Sequence, residues 1–135
     1  MKRNSYPLAI SVPSAAPAIS ILGAPSLPKM NTQPKLSAVI PDFMKFIDGT
    51  ILVAQNAEFD TKFIRRFAGA EEYELKNQVM DTMVMARENL RQLRRHDLHT
   101  LAEHFGIVFH HHRALSDAYA TAEIFIELMK MQYAK

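Results

Sequence analysis

The stretch Thr50-Ile51-Leu52-Val53-Ala54-Gln55-Asn56-Ala57-Glu58-Phe59-Asp60 decides the fold of this chain. Its first five residues form a compact apolar run rich in β-branched side chains, which is typical of a strand buried on both faces of a sheet. The next residues change to helical spacing, with Phe59, Phe63, Ile64 and Phe67 on one face before Gly69. A buried strand that leads directly into a helix predicts an α/β layered domain.

The segments on either side continue this alternation. Upstream, apolar residues at helical spacing predict a helix over 36–47 that ends at Asp48-Gly49. The elements expected downstream are a short strand over 77–80 and helices over 83–93, 98–105 and 115–133. Asp97 is the predicted N-cap of the helix over 98–105, and Gly106 is its predicted stop. The pattern favours a mixed sheet flanked by helices.

Residues 1–35 differ in composition from the remainder of the chain. Six of the seven prolines lie there, and no Asp or Glu occurs before Asp42. We expect a disordered leader over 1–35 and one domain over 36–135. Two apolar pieces, 8–12 and 19–22, leave short strands open as an alternative, although no hairpin signal separates them.

The composition excludes some classes of site. The chain has 135 residues, 48% of them hydrophobic and 22% charged, which fits one modest soluble domain. There is no cysteine, so a metal must bind to His, Asp or Glu, which favours magnesium or manganese on carboxylates or zinc on histidines. No run is apolar enough to span a membrane, and prolines interrupt the weak signal-peptide pattern after Lys2-Arg3. We therefore expect a cytoplasmic protein.

Three stretches, in this order, resemble the DEDDh 3′–5′ exonucleases, the family of RNase T and of the proofreading epsilon subunit of bacterial DNA polymerase III. They are 51–60, Asp81-Thr82, and the segment from Leu98 through Phe105-Gly106 to His112-Arg113-Ala114-Leu115-Ser116-Asp117-Ala118. The resemblance covers roughly residues 36–133. It implies a partial ribonuclease H-like exonuclease fold, α/β with a mixed sheet flanked by helices, that lacks its usual N-terminal strands.

The resemblance also assigns roles to five residues. Asp60 and Asp117 resemble carboxylates that hold divalent metal, and His112 resembles the histidine that takes a proton from the attacking water. Asn56 and Phe59 resemble supports on the substrate side of the second motif. The implied cofactor is Mg²⁺ or Mn²⁺, with two ions in the complete family site, and carboxylates and a neutral imidazole suit that chemistry. The implied partners are 3′ ends of single-stranded DNA or RNA and, in replication or repair, a DNA polymerase subunit.

The chain departs from the family in its first motif. The family carries Asp-x-Glu on its first strand, and this sequence contains no Asp-x-Glu. With Asp60 and Asp117 alone, the site has half of the carboxylates that hold metal in the family. We therefore expect the nuclease activity of the chain by itself to be doubtful. Without the first strand, the strand over 50–54 is expected to keep an open edge, which favours pairing with another chain.

Three hypotheses follow from the match and the departure. The first is a 3′–5′ exonuclease that hydrolyses phosphodiesters with two metals. The second is a catalytically inactive module that binds nucleic acid or a polymerase. The third is an incomplete reading frame.

Simpler interpretations of single residues also stand. Asp60 and Asp117 suit the solvated first turn of a helix. A zinc site on His110 to His112 is disfavoured, because adjacent residues rarely point to one metal. Arg91, Arg94 and Arg95 are either a solvated face or contacts to phosphate.

Overall fold

Helices cover both faces of a four-stranded sheet in the part of the chain that the structure describes. The structure is a computed structural model, and it describes residues 9–12, 19–22, 36–108, 110 and 114–134. Its elements, in chain order, are β1 (Ala9–Val12), β2 (Ile19–Leu22), α1 (Leu36–Ile47), β3 (Ile51–Ala54), α2 (Ala57–Ala70), β4 (Val79–Asp81), α3 (Thr82–Asn89), α4 (Leu98–Phe105) and α5 (Ala114–Tyr133).

The sheet is mixed, as predicted. Its strand order is β1-β2-β3-β4, with β1 antiparallel to β2 and the other two pairings parallel. In the registers, Ile21 stands opposite Val53 and Ala54 stands opposite Asp81. The carboxyl ends of β3 and β4 therefore lie side by side at one edge of the sheet.

The two faces of the sheet carry separate apolar clusters. Because side chains alternate along a strand, Val53 points to one face while Leu52 and Ala54 point to the other. On the face of Val53 lie buried residues from α3, α4 and α5: Met85, Ala86, Leu90, Leu101, Ala102, Ala118, Ile124, Phe125 and Leu128. On the other face lie buried residues from α1, α2 and the segment after α2: Ile40, Ile47, Ala57, Ile64, Ala68 and Leu75. Helices α2 and α5 thus approach the sheet from opposite sides.

The expectation of disorder over 1–35 is wrong for the eight residues of β1 and β2, four in each strand. Ile21 and Leu22 of β2 are almost completely buried, and β2 pairs along β3. The buried strand β3 needs a hydrogen-bonding neighbour on that side, and β2 supplies it. The predicted open edge on β3 is therefore also wrong, and with it the predicted pairing of another chain at that edge. The division of the chain at residue 35 stays a prediction.

Most predicted helices agree with the structure to within a few residues. Helix α4 has the predicted ends: the Thr100 amide donates to the Asp97 carboxylate at 3.4 Å, and Gly106 has φ 68°. Strand β4 begins at Val79 rather than at Asn77, because the Asn77 side-chain amide donates to the carbonyls of Ile47 and Thr50. Among the described ranges, no helix combines the length and the apolarity that a membrane span requires.

Candidate functional site

The predicted second motif lies where β3 and β4 end together. Gln55 follows β3 and Thr82 follows β4, and the Thr82 hydroxyl donates to the Gln55 side-chain oxygen at 2.5 Å. In parallel α/β sheets, ligand sites form outside the carboxyl ends of the strands. This edge is therefore the candidate functional site.

Asp81 organises the turn between β3 and α2. Its carboxylate accepts hydrogen bonds from the backbone N–H groups of Asn56 at 3.0 Å and of Ala57 at 2.9 Å. It also accepts from the N–H of Met83 at 2.9 Å, which caps α3. Asn56 is in the left-handed region, with φ 64°, and its side chain makes no capping bond for α2. One carboxylate thus serves the N-terminal ends of two helices, where negative charge is favoured.

Gln55 links the same turn to the connection between α3 and α4. Its side-chain amide donates to the His96 carbonyl at 2.7 Å, and the His96 ring lies 2.8 Å from the Leu90 carbonyl. This connection carries three exposed arginines: Arg91, Arg94 and Arg95. The hydrogen bonds therefore tie this basic connection to the candidate site, and Arg95 also forms an ion pair with Asp97 at 3.6 Å.

Asp60 is a buried acid in the first turn of α2. Its exposed fraction is 3%, and its Oδ1 atom has no hydrogen-bond partner among the described residues. Burial, and to a smaller extent the neighbouring Asp81 carboxylate, raises the pKa of Asp60 from 3.8 to about 7. The interpretation of Asp60 as a solvated helix residue is therefore wrong. Buried acids with strongly shifted pKa values are concentrated at functional sites.

Asp117 occupies the first turn of α5, on the opposite side of the sheet from α2. Its exposed fraction is 5%, so the solvated interpretation is wrong here too. Just before this helix, the His110 N–H donates to the Ser116 hydroxyl at 2.7 Å. His112 lies outside the described residues, so its predicted role as a base stays a prediction.

The two predicted substrate-side residues are exposed. Phe59 has 57% of its surface accessible, although it immediately precedes the buried Asp60. Asn56 is exposed at the start of the same helix. An exposed aromatic ring beside the carboxyl ends of β3 and β4 can stack against an unpaired base.

The acids present do not fit the two-metal centre of the resembled family. All fourteen acidic residues of the chain fall within the described ranges. Across those ranges, no three His, Asp or Glu side chains come together in a group that would hold a metal ion. Strand β2, which pairs with β3 as the family's first strand does, carries the buried Ser20 and no carboxylate. The buried Oδ1 of Asp60 is one ligand atom suited to a cation, but the described residues do not supply two further His, Asp or Glu ligands beside it.

The roles of Asp81 and Gln55 are not evident from local sequence. Asp81 belongs to one of the three resembling stretches, but its partners Asn56 and Ala57 lie 25 and 24 positions away. The available signal is the Asp-Thr pair directly after a short strand, a common place for a helix N-cap.

Comparisons with known proteins identify the family of this chain. The exonuclease family model of RNase T matches residues 28–125. The chain is 43% identical over 98 residues to a DNA polymerase III PolC-type from Caldanaerobacter subterraneus subsp. tengcongensis, covering 72% of the chain and 7% of that protein. It is 35% identical over 107 residues to a DNA polymerase III subunit epsilon from Aquifex aeolicus, covering 76% of the chain and 52% of that protein. The subunit epsilon of Treponema pallidum is 37% identical over 101 residues, which is 72% of the chain and 47% of that protein. The chain thus spans a small part of the PolC-type relatives and about half of the epsilon relatives.

Proposed function

Because the chain belongs to the DEDDh exonuclease family and has a partial ribonuclease H-like α/β fold, we propose that it binds 3′ ends of single-stranded nucleic acid without hydrolysing them by itself. The observation that carries this proposal is the combination of an exposed binding edge with an incomplete set of acids. Phe59 and Asn56 are exposed at that edge, while no three His, Asp or Glu side chains in the described ranges gather to hold a metal.

The binding part of the proposal is supported by charge and shape. Gln55 fixes the connection that carries Arg91, Arg94 and Arg95 beside the turn that presents Phe59. Proteins that bind single strands combine a basic path for the backbone with aromatic side chains for the bases. Affinity that depends on such arginines falls steeply as salt concentration rises.

The proposal that the chain does not hydrolyse its ligand is supported by its incomplete set of metal-binding carboxylates. Two-metal phosphodiester hydrolysis needs carboxylates that together hold both ions and stabilise the attacking and leaving oxygens. In the described ranges, Asp60 and Asp117 stand without the Asp-x-Glu pair of the family. Burial raises the pKa of Asp60 to about 7, so a cation that binds there must displace a proton near neutral pH.

The binding experiment compares two exposed phenylalanines. Phe59 lies at the proposed edge, whereas Phe46, 47% exposed in α1, precedes the amino end of β3 at the other edge of the sheet. Fluorescence anisotropy with a 5′-labelled single-stranded DNA and the matching RNA measures affinity. We expect Phe59→Ala to weaken binding by about fivefold to a hundredfold, the value of one stacked base. Phe46→Ala should leave binding unchanged.

Equal effects of the two substitutions would contradict the proposed site. A duplex with blunt ends serves as the competitor that tests for single strands. Tighter binding to the duplex than to the single strand would contradict the proposed ligand.

Hydrolysis of 3′ ends with Mg²⁺ or Mn²⁺ is the second candidate function. It is favoured by Asp60 and Asp117, which are both buried and to which the family resemblance assigns the metal. His112 is the proposed base in this case. A divalent metal would supply charge stabilisation at the scissile phosphate.

A DNA polymerase subunit is the proposed protein partner. The support is that the relatives are DNA polymerase III PolC-type and subunit epsilon proteins. The test is a pull-down in which the immobilised chain is incubated with the separately purified replicative polymerase subunit of the same organism. If the chain and the polymerase subunit do not bind each other at concentrations of about 1 μM, the range of a weak complex, the proposed partner is wrong.

A further inference from the structure

Helix α5 carries an apolar stripe in addition to its core face. Its 20 residues span Ala114–Tyr133. Apolar residues recur at alternating steps of four and three positions: Leu115, Tyr119, Ala122, Ile126, Met129 and Tyr133. We refer to these six residues as the α5 stripe. A mean step of three and a half residues is the spacing by which one helix packs along another.

The α5 stripe is exposed over most of its length. The exposed fractions of Leu115, Tyr119, Ile126 and Tyr133 are 48%, 55%, 48% and 76%. The fully buried face of α5 consists of other residues, including Ile124, Phe125 and Leu128, while Ala122 and Met129 of the stripe are half-buried and pack against the same core cluster. Single exposed apolar residues are ordinary on protein surfaces, but four large ones in line over about 27 Å of one helix mark an interaction surface.

Two opposite charges border the α5 stripe on the same side. Glu123 and Lys130 are both exposed, and they lie on either side of Ile126 at a separation of seven residues. Lys130 also contacts Glu127 of the same helix at 3.2 Å, an exposed pair of the kind that is worth little. Lys130 can therefore contact a second acid without a significant loss.

We propose that the α5 stripe is the contact surface for a second copy of this chain, packed antiparallel about a two-fold axis next to Ile126. In that arrangement Glu123 of each copy lies opposite Lys130 of the other, and Tyr119 lies near Tyr133 of the other. A parallel arrangement about a two-fold axis would instead place the Glu123 residues of the two copies on opposite flanks of the interface, and it would bring no Glu123 next to a Lys130. The charges thus fit an antiparallel, self-complementary pair, which is the usual form of a two-fold interface.

The first experiment measures self-association by sedimentation equilibrium over a range of protein concentrations. We expect the unmodified chain to dimerise, and Glu123→Lys or Lys130→Glu alone to raise the dimer Kd by about tenfold or more, because each places two like-charged pairs in the interface. An equimolar mixture of the two variants restores both charge pairs and should associate again. Glu103→Lys on α4, where Glu103 is also exposed, is the matched control and should leave the Kd unchanged.

The second experiment tests orientation. The chain has no cysteine, so a single introduced thiol reports one position. After oxidation, a mixture of Glu123→Cys and Lys130→Cys should give mainly the mixed disulfide, which mass spectrometry identifies. Circular dichroism verifies that each variant is folded. A folded chain that stays monomeric at its solubility limit, or disulfides formed mainly between identical positions, would overturn the proposal.

Discussion

The raised pKa of the buried Asp60 leads us to expect an unusual dependence of stability on pH. Its pKa is raised from 3.8 to about 7 in the folded chain. Between these two values the folded state keeps the proton that the unfolded state has released. The contribution of Asp60 to the free energy of unfolding therefore falls as pH rises from about 4 to about 7, which is opposite to the effect of a carboxylate in an ion pair.

The magnitude follows from the size of the pKa difference. A difference of about 3 units, at about 1.4 kcal/mol for each, gives about 4 kcal/mol as the upper limit of the effect. Asn has nearly the shape of the protonated acid and does not ionise. Asp60→Asn should therefore match the unmodified chain near pH 4 and be more stable by up to about 4 kcal/mol near pH 8.

The assay is urea denaturation followed by far-ultraviolet circular dichroism at several pH values for both chains. The difference between the two curves isolates Asp60 from the other acids. Glu88→Gln, at an exposed site on α3, serves as the control and should show no such difference. A constant difference between Asp60→Asn and the unmodified chain from about pH 4 to about pH 8 would refute the reasoning. A less stable Asp60→Asn near pH 8 would refute it as well.

Three further substitutions test the elements that position the site. Asp81→Ala removes the acceptor of three backbone N–H groups and should cost about 2–4 kcal/mol in urea denaturation, with Asp81→Asn in between; equal stability of all three chains would contradict its role in the turn. Asp97→Ala should cost about 1 kcal/mol near neutral pH as the loss of a helix cap. Because the bond to Thr100 and other contacts lower the pKa of Asp97, that difference should vanish as pH falls well below 3.8, and a difference that persists there would count against it. Leu101→Ala, at a fully buried position of the core, should cost about 2–5 kcal/mol of unfolding free energy, whereas a cost below about 1 kcal/mol would mean that α4 is not packed as described.

Local signals in the sequence were sufficient for the helices. Asp97 and Gly106 mark both ends of α4 because each has a conformational or hydrogen-bonding role that depends only on near neighbours. Strands β1 and β2 gave a weak signal, because each is four residues long in a proline-rich segment. Their formation depends on β3, a partner about 30 positions further along for β2, and short sequence patterns do not report such contacts.

The sequence placed two of the candidate site acids on their helices but did not predict their burial. The motif order placed Asp60 and Asp117 at the starts of two helices, where the structure has them. Their burial depends on the packing of α2 and α5 against the sheet, which the spacing of residues does not reveal. The role of Asp81 required the register that sets Ala54 beside Asp81 at the ends of two strands.

The central claim is that the chain holds single-stranded 3′ ends and does not cleave them alone. The most direct measurement incubates excess purified chain with 5′-labelled single-stranded DNA and RNA, with Mn²⁺ and separately with EDTA, and follows binding and product length in the same samples. We expect an anisotropy increase and intact oligonucleotide in both conditions. A Mn²⁺-dependent ladder from the 3′ end that Asp117→Ala and His112→Ala both abolish would contradict the claim, because a working site would then form without the Asp-x-Glu pair.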